Sequence, residues 1–198
     1  MQPFQQLQPL ERLLKMEDIS LHILDIAENC ITAQASRVEI KIAEDTRENL
    51  LTVEVNDNGK GMDRELLEHA CDPFYTTRTT RRVGLGIPLL AQSARESSGD
   101  ISVTSEKGRG TRIKATFQYD HIDRRPLGDI GQTLIILIMS NPDIDFLYEH
   151  RRNDDTYTLD TAELKKELEG VPVNSPEVIN FIKNDISAWL NSRVDMIE

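Results

Sequence analysis

Three small groups of residues carry chemistry in this sequence. The first is Asp57-Asn58-Gly59-Lys60-Gly61-Met62, which ends an alternating apolar run of Leu51, Val53 and Val55. An aspartate at a strand end accepts hydrogen bonds, and two glycines in three residues let the backbone turn sharply and approach a ligand closely. A flat heterocycle that donates a hydrogen bond suits both features. Alone, the stretch reads equally as a plain strand-to-helix turn. The second group is Asp25 and Asn29. Four apart on a helix, they stack one above the other; alone, they also suit an ordinary solvated face. The third is Gly84-Leu85-Gly86, opening a helix through Ile87. Free backbone N–H groups and the positive end of the helix dipole favour an anion there. Thr76, Thr77, Arg78, Arg81 and Arg82 lie just upstream and offer donors to phosphate oxygens.

The elements that must position these groups follow from periodicity. Leu7, Leu10, Leu13 and Leu14 predict a short helix over 4–16, and Asp18 caps a stronger one over 19–33. Residues 37–43 and 50–55 alternate as a hairpin leading to the glycine turn. Asp63 caps a helix over 64–70, and a loop rich in hydroxyls and arginines follows. The helix over 87–97 ends at Gly99, read as its C-terminal cap. Two strands follow, 100–105 and 111–119, joined by the turn 106–110. Beyond 121, the stretch 129–139 reads as an apolar helix, although its β-branched residues leave a strand open. A hairpin (144–150 with 156–159) comes next, then a helix opened by Asp160 and Glu163 at capping-box spacing. A last helix starts at Ser175-Pro176-Glu177. The expected class is α+β, with helices on one face of a mixed or antiparallel sheet. The helix bearing Asp25 and Asn29 lies beside the glycine helix, with a pocket between them.

Composition bounds the function. The 198 residues suit one domain, or one with a small appendage. A net charge of −11 argues against nucleic acid as a partner, since phosphate backbones need a basic face. No apolar run approaches the ~20 residues of a bilayer span, and the N-terminus lacks the pattern of a signal peptide. Cys30 and Cys71 have no metal-ligand spacing, so a reducing cytoplasm is the expected location. His22, His69, His121 and His150 are scattered, and each is read as packing or surface.

Five boxes in order resemble those of the GHKL superfamily, the ATP-binding domain shared by gyrase, heat-shock chaperones, histidine kinases and MutL. The run from Asp25 through Glu28 and Asn29 to Ala35 is similar to the N box, nearest to its MutL form. Asp57-x-Gly59-x-Gly61 is similar to the first glycine box. Asp72-Pro73-Phe74-Tyr75-Thr76-Thr77-Arg78 is similar to the phenylalanine box of histidine kinases. Gly84-Leu85-Gly86-Ile87 resembles the second glycine box, and Gly108-Arg109-Gly110-Thr111 the final Gly-Thr motif.

The resemblance implies a Bergerat-type sandwich and an ATP-binding domain over 19–120; periodicity and the composition shift then leave an N-terminal helical segment (1–18) and a small α+β C-terminal extension (121–198) that matches no family motif. It implies ATP and Mg²⁺ as ligands. Asp57 would then accept from the adenine amine with support from Thr111, and Gly59, Gly61 and Met62 would give the base room. Asn29 would coordinate the metal. Phe74, Gly84, Leu85, Gly86 and Ile87 would line the nucleotide site, and residues 76–83, with Arg78, Arg81 and Arg82, would form a short lid over the phosphates. MutL-type ATPases and the anti-sigma serine kinases of the family place glutamate where Asp25 stands, as general base. Aspartate is shorter by roughly 1.5 Å and would act directly or through a water; Glu28, roughly 100° around the helix, is the alternative. Only 18 residues precede the N-box helix, so no upstream phosphoacceptor hairpin is expected.

Two functions follow. One is a Mg-ATP-dependent kinase or ATPase that hydrolyses ATP or phosphorylates a protein partner in trans, at histidine or serine. The other is an ATP-dependent binding switch with little turnover. Stand-alone ATPase-domain proteins of anaerobic bacteria, which this chain also resembles, imply a regulated complex, including one with a hydrogenase-type redox enzyme, and a homodimer is compatible with either function.

Overall fold

The computed structural model describes residues 18–72 and 86–192. The chain runs α1 (Ile19–Thr32), β1 (Arg37–Asp45), β2 (Leu50–Asp57), α2 (Arg64–Glu68), α3 (Gly86–Glu96), β3 (Ile101–Glu106), β4 (Gly110–Gln118), α4 (Ile130–Ser140), β5 (Asp145–Arg152), β6 (Asp155–Asp160), α5 (Thr161–Glu167) and α6 (Pro176–Asn191). The expected helix over 4–16 and the lid over 76–83 lie outside the described residues.

All six strands form one sheet in the order β3-β4-β2-β1-β5-β6. Every neighbouring pair is antiparallel except β1 and β5, which run parallel with Ile40 opposite Tyr148. The sheet is therefore mixed, as the α+β class expected. Period-two alternation sends Val38, Ile40, Ile42, Leu51, Val53, Val55, Ile113, Ala115, Phe117, Phe146 and Tyr148 to one face, where each is at most 4% exposed. The helices cover that face: α1 packs against α3 and α4, and α4 against α6. The other face is polar, with ion pairs such as Arg37–Asp160 (3.0 Å) and Arg112–Glu54 (2.7 Å).

The caps explain where the helices start. Asp18 accepts from Leu21 N, Asp63 from Leu66 N, and Asp160 from Ala162 N. The 129–139 stretch is a helix. Its β-branched residues yield to a capping aspartate (Asp129, accepting from Gln132 N at 2.8 Å) and to burial of Ile130, Leu134, Leu137 and Ile138. Two expected caps differ. The left-handed position after α3 is taken by Ser98 (φ 56°), not Gly99. Gly99 N–H reaches Ala94 O (2.8 Å) and Ser98 N–H reaches Arg95 O (3.2 Å), a Schellman arrangement. Gly99 is required for another reason: a Cβ there would lie 2.5 Å from the Thr116 carbonyl carbon. Ser175 precedes Pro176 as expected, yet its hydroxyl makes no bond to α6.

Candidate functional site

One end of the sheet gathers most of the described candidates. Asp57, the last residue of β2, stands opposite Thr111 on β4. Both continue the buried alternation of their strands, so both point toward the helical layer. Asp57 Oδ1 accepts from Gly59 N at 2.7 Å, which bends the chain into the glycine turn. That turn is packed tightly. A Cβ on Gly59 would meet Ala33 O at 2.7 Å, and one on Gly61 (φ +62°) would lie 2.8 Å from the Glu106 carbonyl carbon. Lys60 N donates to Ala33 O (2.9 Å), and Gly108 N donates to Lys60 O (2.7 Å). The turn is thus bolted to the end of α1 on one side and to the β3–β4 turn on the other.

The α1 helix links this end to the second glycine element. Cys30, 5% exposed, lies beside Asp57; burial, then the charge of Asp57 and its hydrogen bond, push the Cys30 thiol above its ordinary value. Asn29 precedes it and is half-buried, and Asp25, also half-buried, lies one turn back. A Cβ on Gly86 would collide with Oδ2 of Asp25 and come within 3.1 Å of its Cγ. The Asp25 carboxylate therefore lies against the first residue of α3, while Ile87 is half-buried and Glu28 is exposed. His22, read as packing or surface, is packing: it is 1% exposed, and neither ring nitrogen has a hydrogen-bond partner among the described residues.

Phe74, Thr76, Thr77, Arg78, Arg81, Arg82, Gly84 and Leu85 lie outside the described residues. Among the described residues no cluster of three or more His, Cys, Asp and Glu is arranged to hold a metal, and no helix is long and apolar enough to cross a membrane. Reading the motifs passed over Ser105 and Cys30. Ser105 was within reach, because counting back across the 106–110 turn pairs it with Thr111. Cys30 had no such signal.

Residues 16–121 match the family described as histidine kinase-, DNA gyrase B-, and HSP90-like ATPase, and the chain belongs to it. A stretch of 89 residues, 45% of this chain and 22% of the relative, is 37% identical to the sensor protein kinase FleS of Pseudomonas aeruginosa. A stretch of 109 residues, 55% of this chain and 21% of the relative, is 28% identical to sporulation kinase D of Bacillus subtilis. The chain spans between 11% and 22% of the length of the curated relatives it matches. Among solved structures, the N-terminal domain of a DNA repair protein shares the fold at a TM-score of 0.51 and 16% identity, over 72% of this chain and 52% of that one. Membership of an ATPase family implies nucleotide binding.

Proposed function

We propose that the chain binds Mg-ATP across this end of the sheet and transfers the γ-phosphoryl group to water or to a protein partner in trans. The observation that carries the reading is the double contact of α1, with Ala33 against Gly59 and Asp25 against Gly86. One helix thereby spans from the acceptor pair Asp57 and Thr111 to the start of α3. That span suits a ligand with a flat donor at one end and negative charge at the other.

The residues present fit the group. Asp57 is an acceptor beside a turn that comes close only because Gly59 and Gly61 lack side chains. Asn29 offers one amide oxygen, in keeping with a cation that takes one or two protein ligands and completes its shell with phosphate and water. When bound, magnesium supplies charge neutralisation for phosphoryl transfer. Asp25 would take or align the proton of the attacking hydroxyl or water, which asks for an approach of ~3 Å, directly or through one water. Its half-burial against Gly86, set against the exposure of Glu28, supports Asp25 in that role. The names of the relatives, a sensor protein kinase and a sporulation kinase, support a protein as phosphoacceptor or regulated partner. In this reading residues 19–120 are the catalytic unit, the lid arginines Arg78, Arg81 and Arg82 complete it, and 121–198 buttress it.

The test uses ATP labelled at the γ-phosphate, with Asp25→Asn and Asp57→Asn beside the wild type. Label should appear on protein or as free phosphate with the wild type. Asp25→Asn should abolish it with affinity kept, and Asp57→Asn should weaken binding about tenfold or more, the loss of one charged hydrogen bond. Unchanged turnover in Asp25→Asn removes the base; unchanged affinity in Asp57→Asn removes the site.

A further inference from the structure

Ser105 sits near the end of edge strand β3, opposite Thr111. Its hydroxyl oxygen has three neighbours at hydrogen-bonding distance: Met62 N at 2.8 Å, Gly110 O at 2.8 Å and Thr111 Oγ1 at 2.9 Å. Proton bookkeeping decides the directions. Met62 N–H only donates, and it fills one lone pair of Ser105. The Gly110 carbonyl has no proton to give, so its 2.8 Å approach to Ser105 Oγ needs the Ser105 proton between the two oxygens. The single Ser105 proton therefore goes to Gly110 O. What remains on Ser105 is one lone pair, and Thr111 must fill it with its own proton.

We infer that Ser105 is a positioning residue for ligand specificity: by taking the Thr111 proton, it turns the Thr111 hydroxyl into a pure acceptor facing the cleft beside Asp57. The inference rests on the nucleotide reading above. Asp57, already an acceptor, and Thr111 then present lone pairs together at the ends of adjacent strands. Such a pair recognises a base edge that donates, an exocyclic amine directly or through water, and repels one that offers a carbonyl oxygen at the same place. Without Ser105 the Thr111 hydroxyl rotates freely and donates as readily as it accepts. Ser105 also joins Met62 of the glycine turn to Gly110 and Thr111, so the same atom holds the two walls of the cleft in register.

The experiment compares binding of ATP with inosine triphosphate, which replaces the amine by a carbonyl. It uses the full chain as wild type, Ser105→Ala, Ser105→Thr, Thr111→Val and the double variant Ser105→Ala with Thr111→Val. The wild type should prefer ATP, and Ser105→Ala should narrow that preference about tenfold, the weight of one hydrogen bond. Ser105→Thr should restore it. In the Thr111→Val background, Ser105→Ala should change the preference no further, because its effect passes through Thr111. Equal loss for both nucleotides, or an additive effect in the double variant, would mean that Ser105 only holds the turn and would overturn the inference. No change in Ser105→Ala would overturn it too. If the wild type binds neither nucleotide, or Asp57→Asn leaves ATP affinity intact, it is the nucleotide reading that fails, and the Ser105 inference goes with it. Thermal melting of each variant separates misfolding from altered recognition, and if Ser105→Ala does not fold, Thr111→Val carries the test: it should narrow the preference for ATP, and an unchanged preference would overturn the inference.

Discussion

Gly86 and Asp25 exclude one another's growth: the space a methyl group would take on Gly86 is occupied by the Asp25 carboxyl group, whose Cγ lies 3.1 Å from that point. The glycine is needed here for proximity. Gly86→Ala should displace Asp25 and, if Asp25 is the proposed base, lower the rate of the proposed phosphoryl transfer about 10–100-fold, as small misplacements of a catalytic group do. Stability should fall by about 1–3 kcal/mol from the overpacking. Steady-state kinetics and urea melts check both; an unchanged rate would disconnect Asp25 from the chemistry.

His22 should make the fold acid-sensitive. Burial, then the nearby positive charge of Arg125, push its pKa down to about 4, against the opposing pull of Asp18. As pH falls below 6.5 the unfolded chain takes up the proton first, so stability drops until the folded ring titrates near 4. The stability at stake is about 3 kcal/mol. His22→Leu should flatten the dependence of the urea midpoint between pH 6.5 and 4, with little change at pH 7.

Glu44, His150 and Tyr148 form a buried chain at the opposite end of the sheet from the candidate site. The Tyr148 hydroxyl donates to His150 Nδ1 (2.7 Å), and His150 Nε2–H donates to Glu44 Oε1 (2.7 Å), which also receives Arg152 Nε (3.0 Å). Burial raises the Glu44 pKa, but the bonds from His150 and Arg152 outweigh it and hold the carboxyl at about 2. Burial pushes the His150 pKa below its ordinary value, against the opposing pull of Glu44. His150→Phe leaves the buried Tyr148 hydroxyl without its partner and takes one of two bonds from the half-buried Glu44, and should cost about 1–3 kcal/mol at pH 7, read by urea denaturation. A loss below about 1 kcal/mol would mean that other groups satisfy Glu44 and Tyr148.

The match to the family ends at residue 121, but the structural unit does not. Phe146 and Tyr148, at most 1% exposed, complete the face begun by Val38 and Ile40. A chain cut after residue 121 would expose the β1 edge and the sides of α1 that α4 covers. It should lose the cooperative thermal transition and bind dyes specific for exposed apolar surface. A truncated form that melts cooperatively near the full-length temperature would make the extension an accessory.

Legibility in the sequence followed the range of the interaction. Alternation at Leu51, Val53 and Val55, the aspartate caps and the glycine boxes are local, and the elements appeared where those signals put them. The left-handed end of α3 lies at Ser98 and not at the cap expected of Gly99; the close approach of Thr116, seventeen residues on, is what demands the glycine. The pairing of β5 with β1 had no local signal at all. Among the site residues, Asp57 and Thr111 came from motifs, whereas the Cys30 contact with Asp57 depends on how α1 lies across β2.

Glu44 and His150, which meet in the finished sheet, are 106 residues apart in the chain. At a synthesis rate of roughly 5–20 residues per second, about 5–20 s separate the emergence of the two from a ribosome. For the last 39 residues of that interval, from Thr111 to His150 and about 2–8 s at the same rate, the nascent protein carries every described residue of the proposed nucleotide cleft together with a central strand, β1, unpaired along one edge. Maturation of the cleft then waits on its buttress, and a holdase that shelters bare strand edges would find its client in that window.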